Sequence, residues 1–255
     1  MRRSSVGAGL PEALPPDVRR AAAQEAREVL MGALLDTPAL WVDPPAVAAR
    51  AKQKALQLKL ARDAGLEVPR TLETNDPDAA RAFAASCPGG VIAKMYNDLR
   101  IAGGTVYTNL LGPADLAALD QLVACPMVFQ EAVPKAMELR VVVVGQQVFA
   151  AELDTQAIAG AEVDWRRQGA ASVADWKPHR LPGPVARGFL ALHDALHTNY
   201  GSADVILTPD GRYVLLENNV VGESFWLYEM HPIPDALADL LTGQAPARVP
   251  PADMR

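Results

Sequence analysis

The sequence predicts an α+β chain in two small lobes, on three observations. Residues 201–222 read as a β-hairpin. Val205, Ile206 and Leu207 form an apolar run, Pro209-Asp210-Gly211 a tight turn, and Tyr213 to Leu216 the returning run. A second hairpin is written by the Val-rich run 138–144 and the run 147–151, turning at Gly145-Gln146. Elsewhere helical and strand-like stretches alternate without a strict strand–helix–strand repeat, so α+β fits better than a doubly wound sheet.

In chain order, residues 1–15 read as loose, and Pro15-Pro16 opens a helix to about Leu35. Val18, Ala22, Ala26, Val29, Leu30, Met31 and Leu34 form its apolar stripe. Pro44-Pro45 starts a second helix that runs to Gly65 and packs through Leu56, Leu60 and Ala61. A short strand falls within 66–74. Asn75-Asp76-Pro77 caps a third helix, to about Ser86. Val91 to Met95 is a strand with Lys94 inside an apolar run. Residues 97–104 are a loop, 105–109 a strand and 113–123 a helix. Met127 to Gln130 is a buried strand running into Glu131-Ala132-Val133-Pro134. Residues 154–182 are loop-like, 184–197 a helix, and a last helix near 235–241 precedes a Pro-rich tail.

Length allows one large domain or two small ones with a sizeable core. The 24 Lys and Arg against 30 Asp and Glu leave a net charge of −6, which is not the basic footprint of a nucleic-acid binder. Cys87 and Cys125 lack metal-ligand spacing and read as free thiols of a reducing compartment. No apolar run approaches the roughly 18 residues of a membrane span. Pro11, Glu12, Pro15 and Asp17 stand where a signal peptide would be apolar. A cytoplasmic protein without membrane or nucleic-acid partners is expected.

The chemistry sits at strand ends. Asp204 lies on the first strand of the 201–222 hairpin, and Glu217 and Asn219 end the second, on one side of an extended chain. Two carboxylates and an amide oxygen on adjacent strands make a hard-oxygen site. Mg²⁺ favours such ligands at about 2.1 Å and completes its octahedron with phosphate oxygens and water. The bland alternative is two strands with polar ends. Lys54, in Lys-x-x-Gln-Leu, and Lys94 supply two cations, and residues Gln130 to Val133 end a strand at Pro134, which frees backbone groups of the kind that read adenine. Two lysines and a divalent cation offset and orient a triphosphate. Neither a P-loop nor the kinase motifs are present. Taken singly, Lys54 reads as a solvated helix lysine and Arg166 as a surface charge. Glu138 with Arg140 reads as a cross-strand ion pair on an exposed face. His179, His193, His197 and His231 have no zinc spacing.

Taken together, these features resemble the ATP-grasp superfamily over residues 41–243, and more narrowly its microviridin- or graspetide-type ligases, which mature ribosomal peptides. The shared runs are Trp41-Val42-Asp43-Pro44-Pro45, Lys54-Ala55-Leu56-Gln57-Leu58, the stretch from Gly65 to Pro77, and Gln130-Glu131-Ala132-Val133-Pro134-Lys135. Glu138-Leu139-Arg140-Val141, Asp164-Trp165-Arg166 and His179-Arg180-Leu181-Pro182 complete them. The chain departs after Asn219. The family has Pro, a polar residue, Gly and Gln-Trp there; this chain has Val220-Val221-Gly222-Glu223-Ser224-Phe225-Trp226. Its glycine-rich lid is reduced to Gly103-Gly104.

The resemblance implies two α+β lobes clasping ATP, and a ligase that joins a carboxylate to an amine or hydroxyl through an acyl-phosphate. The expected product is an ester or amide link between side chains of a precursor peptide. A glutamate or amino-acid ligase acting on a protein or small carboxylate substrate, and a non-catalytic peptide-binding module, are the alternatives. ATP and Mg²⁺ are the implied cofactors. Lys54 and Lys94 would hold phosphates, Glu131 and Val133 adenine at the strand end begun by Gln130, and Glu138 the ribose. Arg140 would stabilise the transferred phosphoryl group, Arg166 orient the acceptor carboxylate, and Asp204, Glu217 and Asn219 bind Mg²⁺. The implied division is residues 1–45 as the remnant of a preceding lobe, 46–132 as the lobe of lysines and adenine hinge, 133–243 as the lobe of metal and acceptor, and 244–255 as tail. With the preceding lobe absent, the 17–35 helix is expected to pair in a homodimer or with a separate chain.

Overall fold

The computed structural model describes residues 6–37, 39–95, 100–101, 104–105, 109–155, 158, 175–220 and 222–248. They fall into two compact units, Met1–Trp41 and Val42–Arg255. The first holds α1 (Pro16–Leu35), with Pro16 in its first turn and no buried residue. Arg19 Nη2 donates to the Pro11 carbonyl at 2.8 Å and folds the preceding segment back on the helix.

The second unit opens with α2 (Pro45–Ala51) and α3 (Lys54–Asp63). The single helix expected over this stretch is therefore two, broken at Lys52-Gln53, where the sequence carries no Gly or Pro. At the break the Ala51 carbonyl accepts from Gln57 Nε2 at 2.5 Å. The buried face of α3 is Gln57, Leu58 and Ala61, one residue round from the expected stripe.

Next come β1 (Thr71–Thr74), α4 (Pro77–Ala85) and β2 (Val91–Lys94). Asp76 caps α4 as its sequence predicts, accepting from Asp78 N at 2.9 Å and Ala79 N at 3.3 Å. The expected loop and strand over 97–109 hold three short strands: β3 (Arg100–Ile101), β4 (Gly104–Thr105) and β5 (Asn109–Leu110). Then α5 (Pro113–Ala117) and a 3-10 turn (Leu119–Ala124) lead into β6 (Met127–Glu131). An antiparallel sheet of order β1-β6-β2-β5 results. Its core is Ala80, Val91, Leu119, Leu122 and Phe129.

The remaining strands are β7 (Met137–Val144), β8 (Gln147–Leu153), β9 (Lys177–Pro178), β10 (Tyr200–Leu207) and β11 (Tyr213–Asn219). With α6 (Gly183–Leu196) and α7 (Ile233–Leu241) they form an antiparallel sheet of order β11-β10-β7-β8-β9. One face presents Leu139, Val141, Val143, Ala203, Val205 and Leu215 to Phe189, Leu192 and Leu196 of α6 and Ala61 of α3. Helices α2 and α3 thus join the second sheet, although they precede the first in sequence. The other face presents Val142, Val144 and Tyr200 to Leu227, Ile233 and Leu240. Further along, this same face turns polar at Arg140 and Asp204, directly opposite each other.

Two polar devices that no periodicity announces hold β10 in place. The Asp43 carboxylate accepts from Asn199 N at 2.7 Å and Tyr200 N at 3.2 Å, which ties the Val42–Pro45 run to the start of β10. Burial pushes its pKa up to about 6. Arg248 reaches back from the tail: its amide donates to Asn199 Oδ1 at 2.6 Å, and its Nη2 to the Gly145 carbonyl at 2.8 Å.

Candidate active site

The site starts from register. Asp204 faces Arg140 across β7–β10 and Glu217 across β10–β11, so three charged side chains line up over three strands on one face. A β-bulge decides this. Asp204 pairs with Glu217 but Val205 pairs with Leu215, which leaves Leu216 as the extra residue. Strict alternation would put Leu215 and Glu217 on the same face. The bulge sends Leu215 into the α6 core and Glu217 to the polar face. Asn219, opposite Ser202 and two residues beyond Glu217, follows it.

Two carboxylates directly opposite each other repel unless cations stand beside them. Here both are compensated. Arg140 Nη1 lies 2.7 Å from Asp204 Oδ1, and Lys54 Nζ, at the first position of α3, lies 2.9 Å from Glu217 Oε2. The Arg140 side chain is 4% exposed, with its guanidinium 5.2 Å from the Trp226 ring centroid. Among the described residues its Nε, a buried donor, has no hydrogen-bond partner, and the Asp204 contact is an ion pair whose angle is not that of a hydrogen bond. The bland alternative for Glu138 and Arg140, a cross-strand ion pair between them, is not formed. The two are neighbours on one strand, and Glu138 Oε2 takes Lys135 Nζ at 3.0 Å instead.

This donor set fits a hard divalent cation: two carboxylates on one face, a short amide two residues on, and an unspent donor beside them for phosphate oxygen. Among the described residues no three His, Cys, Asp or Glu side chains cluster for a metal.

A second group sits on the four-stranded sheet. Lys94, at the end of β2, donates to Gln130 Oε1 at 3.0 Å, and Gln130 Nε2 donates to Thr71 Oγ1 at 3.0 Å. Gln130 is fully buried, so its side chain, not only its backbone, belongs to the site. At the strand end, the amides of Glu131 and Ala132 are taken by the carbonyls of Arg70 and Gly90. The Arg70 amide donates to the Glu131 carboxylate at 2.9 Å, so the Glu131 carbonyl is not spent on it. Val133 is half-buried just beyond. Arg166, Gly103 and Val221 lie outside the described residues.

Where the chain departs from the resembling family, Gly222 and Glu223 both have positive φ, +89° and +101°. A Cβ at Gly222 would come within 2.8 Å of the Tyr200 ring. Glu223 is a non-Gly residue in that region, a strain of roughly 1–3 kcal/mol that persists where surroundings enforce it. The buried Tyr200 hydroxyl–Ser224 Oγ contact at 2.8 Å and Ser202 Oγ donating to the Glu223 carbonyl at 3.4 Å supply that enforcement.

Gln57, 3% exposed, has no role of its own in the sequence reading. The signal that could have found it is a carboxamide on the face of α3 that packs into the core.

Lys94→Ala should weaken nucleotide binding about tenfold or more, since it removes a charge-assisted contact from the cleft. Lys59→Ala is the control, because Lys59 pairs with Asp63 at an exposed i,i+4 site. Lys135 is no control, being almost wholly buried against Glu138. Calorimetric titration with ADP decides it, and equal affinities would make Lys94 a structural lysine.

No protein-family model matches the chain, and no curated protein matches it either. Solved structures do. The macrocyclase MdnC from Microcystis aeruginosa, bound to its precursor peptide MdnA, is 38% identical with a TM-score of 0.85; the match covers 95% of this chain and 77% of that one. A RiPP-associated ATP-grasp ligase from Chryseobacterium gregarium, solved with ADP and a leader and core peptide, is 36% identical with a TM-score of 0.90. That match covers 98% of this chain and 77% of the other. The ATP-grasp ligase PsnB, solved with a phosphomimetic minimal precursor, Mg and ADP, is 28% identical with a TM-score of 0.64, over 88% of this chain and 71% of that one.

Proposed function

This chain belongs to the RiPP-associated ATP-grasp ligases, and we propose that it joins a side-chain carboxylate of a precursor peptide to a hydroxyl or amine of the same peptide at the expense of ATP. The observation that carries the reading is the row Arg140–Asp204–Glu217 across β7, β10 and β11, closed by Lys54. ATP transfers its γ-phosphoryl group to the carboxylate. The hydroxyl or amine then attacks that acyl group, forms the ester or amide, and releases phosphate.

The chain's own residues divide this work. Asp204, Glu217 and Asn219 hold Mg²⁺, which neutralises and orients phosphate oxygens. That cation and nucleotide accompany the similar ligase PsnB as Mg and ADP. Lys54 and Lys94 hold phosphates from α3 and β2, and Gln130 keeps the Lys94 ammonium on station. The Glu131 carbonyl and the Val133 amide meet adenine, and Glu138 the ribose. Arg140, fixed between Asp204 and Trp226, stabilises charge on the transferring phosphoryl group. Arg166, in its Asp164-Trp165-Arg166 run, orients the acceptor carboxylate with a two-toothed guanidinium. We assign residues 46–132 to the lobe of the adenine hinge, with α2 and α3 packing on the neighbouring sheet, and residues 133–243 to the metal and acceptor lobe. Cys87 and Cys125 are both free, which supports a reducing, cytoplasmic setting. Among the described residues no helix is long and apolar enough to cross a membrane.

The test is incubation with ATP, Mg²⁺ and short Thr-, Asp- and Glu-rich candidate precursor peptides. Loss of one water mass per link, with one ADP released for each, supports ligation within the peptide. A gain of one amino-acid residue on the peptide or a protein, from added free glutamate, would replace this reading with the amino-acid ligase. Binding of nucleotide and peptide without ADP release would replace it with the non-catalytic module.

A further inference from the structure

Asn218 stands between the two β11 ligands and points the other way, into the helix side of the sheet. It is held there twice. Its amide donates to Gln57 Oε1 at 3.0 Å, and its carbonyl accepts from Gln57 Nε2 at 2.8 Å. β11 is the edge of its sheet. The Gln57 carboxamide therefore does for Asn218 what the next strand would do, one donor and one acceptor in the plane of the ladder. It takes over where the main chain leaves off, since the preceding outward amide, of Leu215, is met by the Glu67 carbonyl at 2.8 Å. The Asn218 side chain is gripped separately, with Nδ2 3.4 Å from His193 Nε2, and His193 Nδ1 2.9 Å from Thr198 Oγ1. Burial, with the Arg248 charge, lowers the His193 pKa to about 3, so the imidazole stays neutral. No side chain fits beneath this pair: a Cβ at Gly201 would come within 2.6 Å of His193 Cε1 and 2.8 Å of Asn218 Oδ1.

We infer that Gln57 is a positioning residue for the metal site: by clamping the main chain of Asn218 it fixes the register of Glu217 and Asn219 against Asp204. The inference rests on the proposed Mg²⁺ role of those residues. It has a particular reason to be needed. The bulge at Leu216 already weakens the ladder between β10 and β11 just before the ligands, and an edge strand has only one neighbour to hold it. Gln57 also lies one turn after Lys54 on α3, so the helix that brings a phosphate cation to Glu217 sets the strand that carries Glu217. A cation and a metal ligand thus share one rigid support, which is how a site keeps its geometry without strand rigidity of its own.

The experiment measures ADP affinity by calorimetry, in EDTA and in millimolar Mg²⁺, for the parent chain, Gln57→Leu and Gln57→Glu. In the parent, Mg²⁺ strengthens ADP binding. In Gln57→Leu that Mg²⁺-linked gain is expected to fall at least tenfold while affinity in EDTA is kept, and amide hydrogen exchange at Asn218 is expected to rise. Gln57→Glu keeps an acceptor for the Asn218 amide but sets a carboxylate against its carbonyl; it should lose the same gain, and it stands in if Gln57→Leu does not melt cooperatively. A residue needed only for stability would lower the melting temperature and leave the Mg²⁺-linked gain intact, which overturns the inference. No Mg²⁺-linked gain in the parent would overturn the metal assignment itself.

Discussion

Glu217→Gln removes ligation, with a loss on the order of 10²-fold or more in kcat, and leaves the fold intact. The substitution keeps shape and a carbonyl oxygen but deletes one of the two charges on the polar face. It also removes the negative charge that stands 2.9 Å from the Lys54 ammonium. The Lys54 ammonium, no longer offset by that carboxylate, still attracts phosphate, so ADP affinity in EDTA should hold or rise while turnover collapses. That split between binding and kcat separates a metal ligand from a carboxylate that only balances a lysine. ADP release in the presence of peptide, followed beside thermal melts, measures it, and turnover at the parental rate would sink the assignment.

Arg140→Lys lowers kcat by about 10²-fold, with nucleotide affinity changed much less. A lysine can restore the contact to Asp204. It cannot lie flat beneath the Trp226 ring while offering a further N–H in a fixed direction, which is what the unspent Nε of Arg140 does. Arg140→Met is the less informative change. It strands Asp204 without its cation in a largely buried place, and a broken buried pair costs roughly 3–5 kcal/mol of stability by itself. Single-turnover kinetics on a peptide that the parent modifies tests the point. If the Arg140→Lys protein ligates at the parental rate, Arg140 is reduced to a counter-ion.

The outline of this fold was legible in the sequence because its signals are local. Pro209-Asp210-Gly211 and Gly145-Gln146 mark the two hairpins, and Asp76-Pro77 marks the start of α4. The acid and amide at 217 and 219 stood out as candidate ligands because a core strand has no other use for them at its end. Strand alternation places that pair on one side correctly. Carried two residues earlier it fails, since nothing in Leu215-Leu216 announces a bulge. The division of α2 from α3 was equally silent, since no helix breaker marks it. Gln130 and Gln57 were read for their neighbourhood and not for their side chains. Among the partners of these buried carboxamides are groups 36 and 161 residues away in sequence, and a single chain of letters holds no record of such pairings.

The extra residue at 216 makes the bulge itself, not the residue that fills it, the sensitive quantity in β11. Replacing Leu216 by another apolar residue leaves the parity of the strand as it is. Closing the bulge at constant length would set Leu216 opposite Asp204 and turn Glu217 toward Phe189 and Leu192, whereas deleting Leu216 leaves Glu217 opposite Asp204. A one-residue slip of the ladder would then exchange a cation site for a buried carboxylate with the sequence of the strand unchanged. When relatives are aligned, a gap at 216 therefore keeps Glu217 beside Asp204, with the strand straight where it is now bulged.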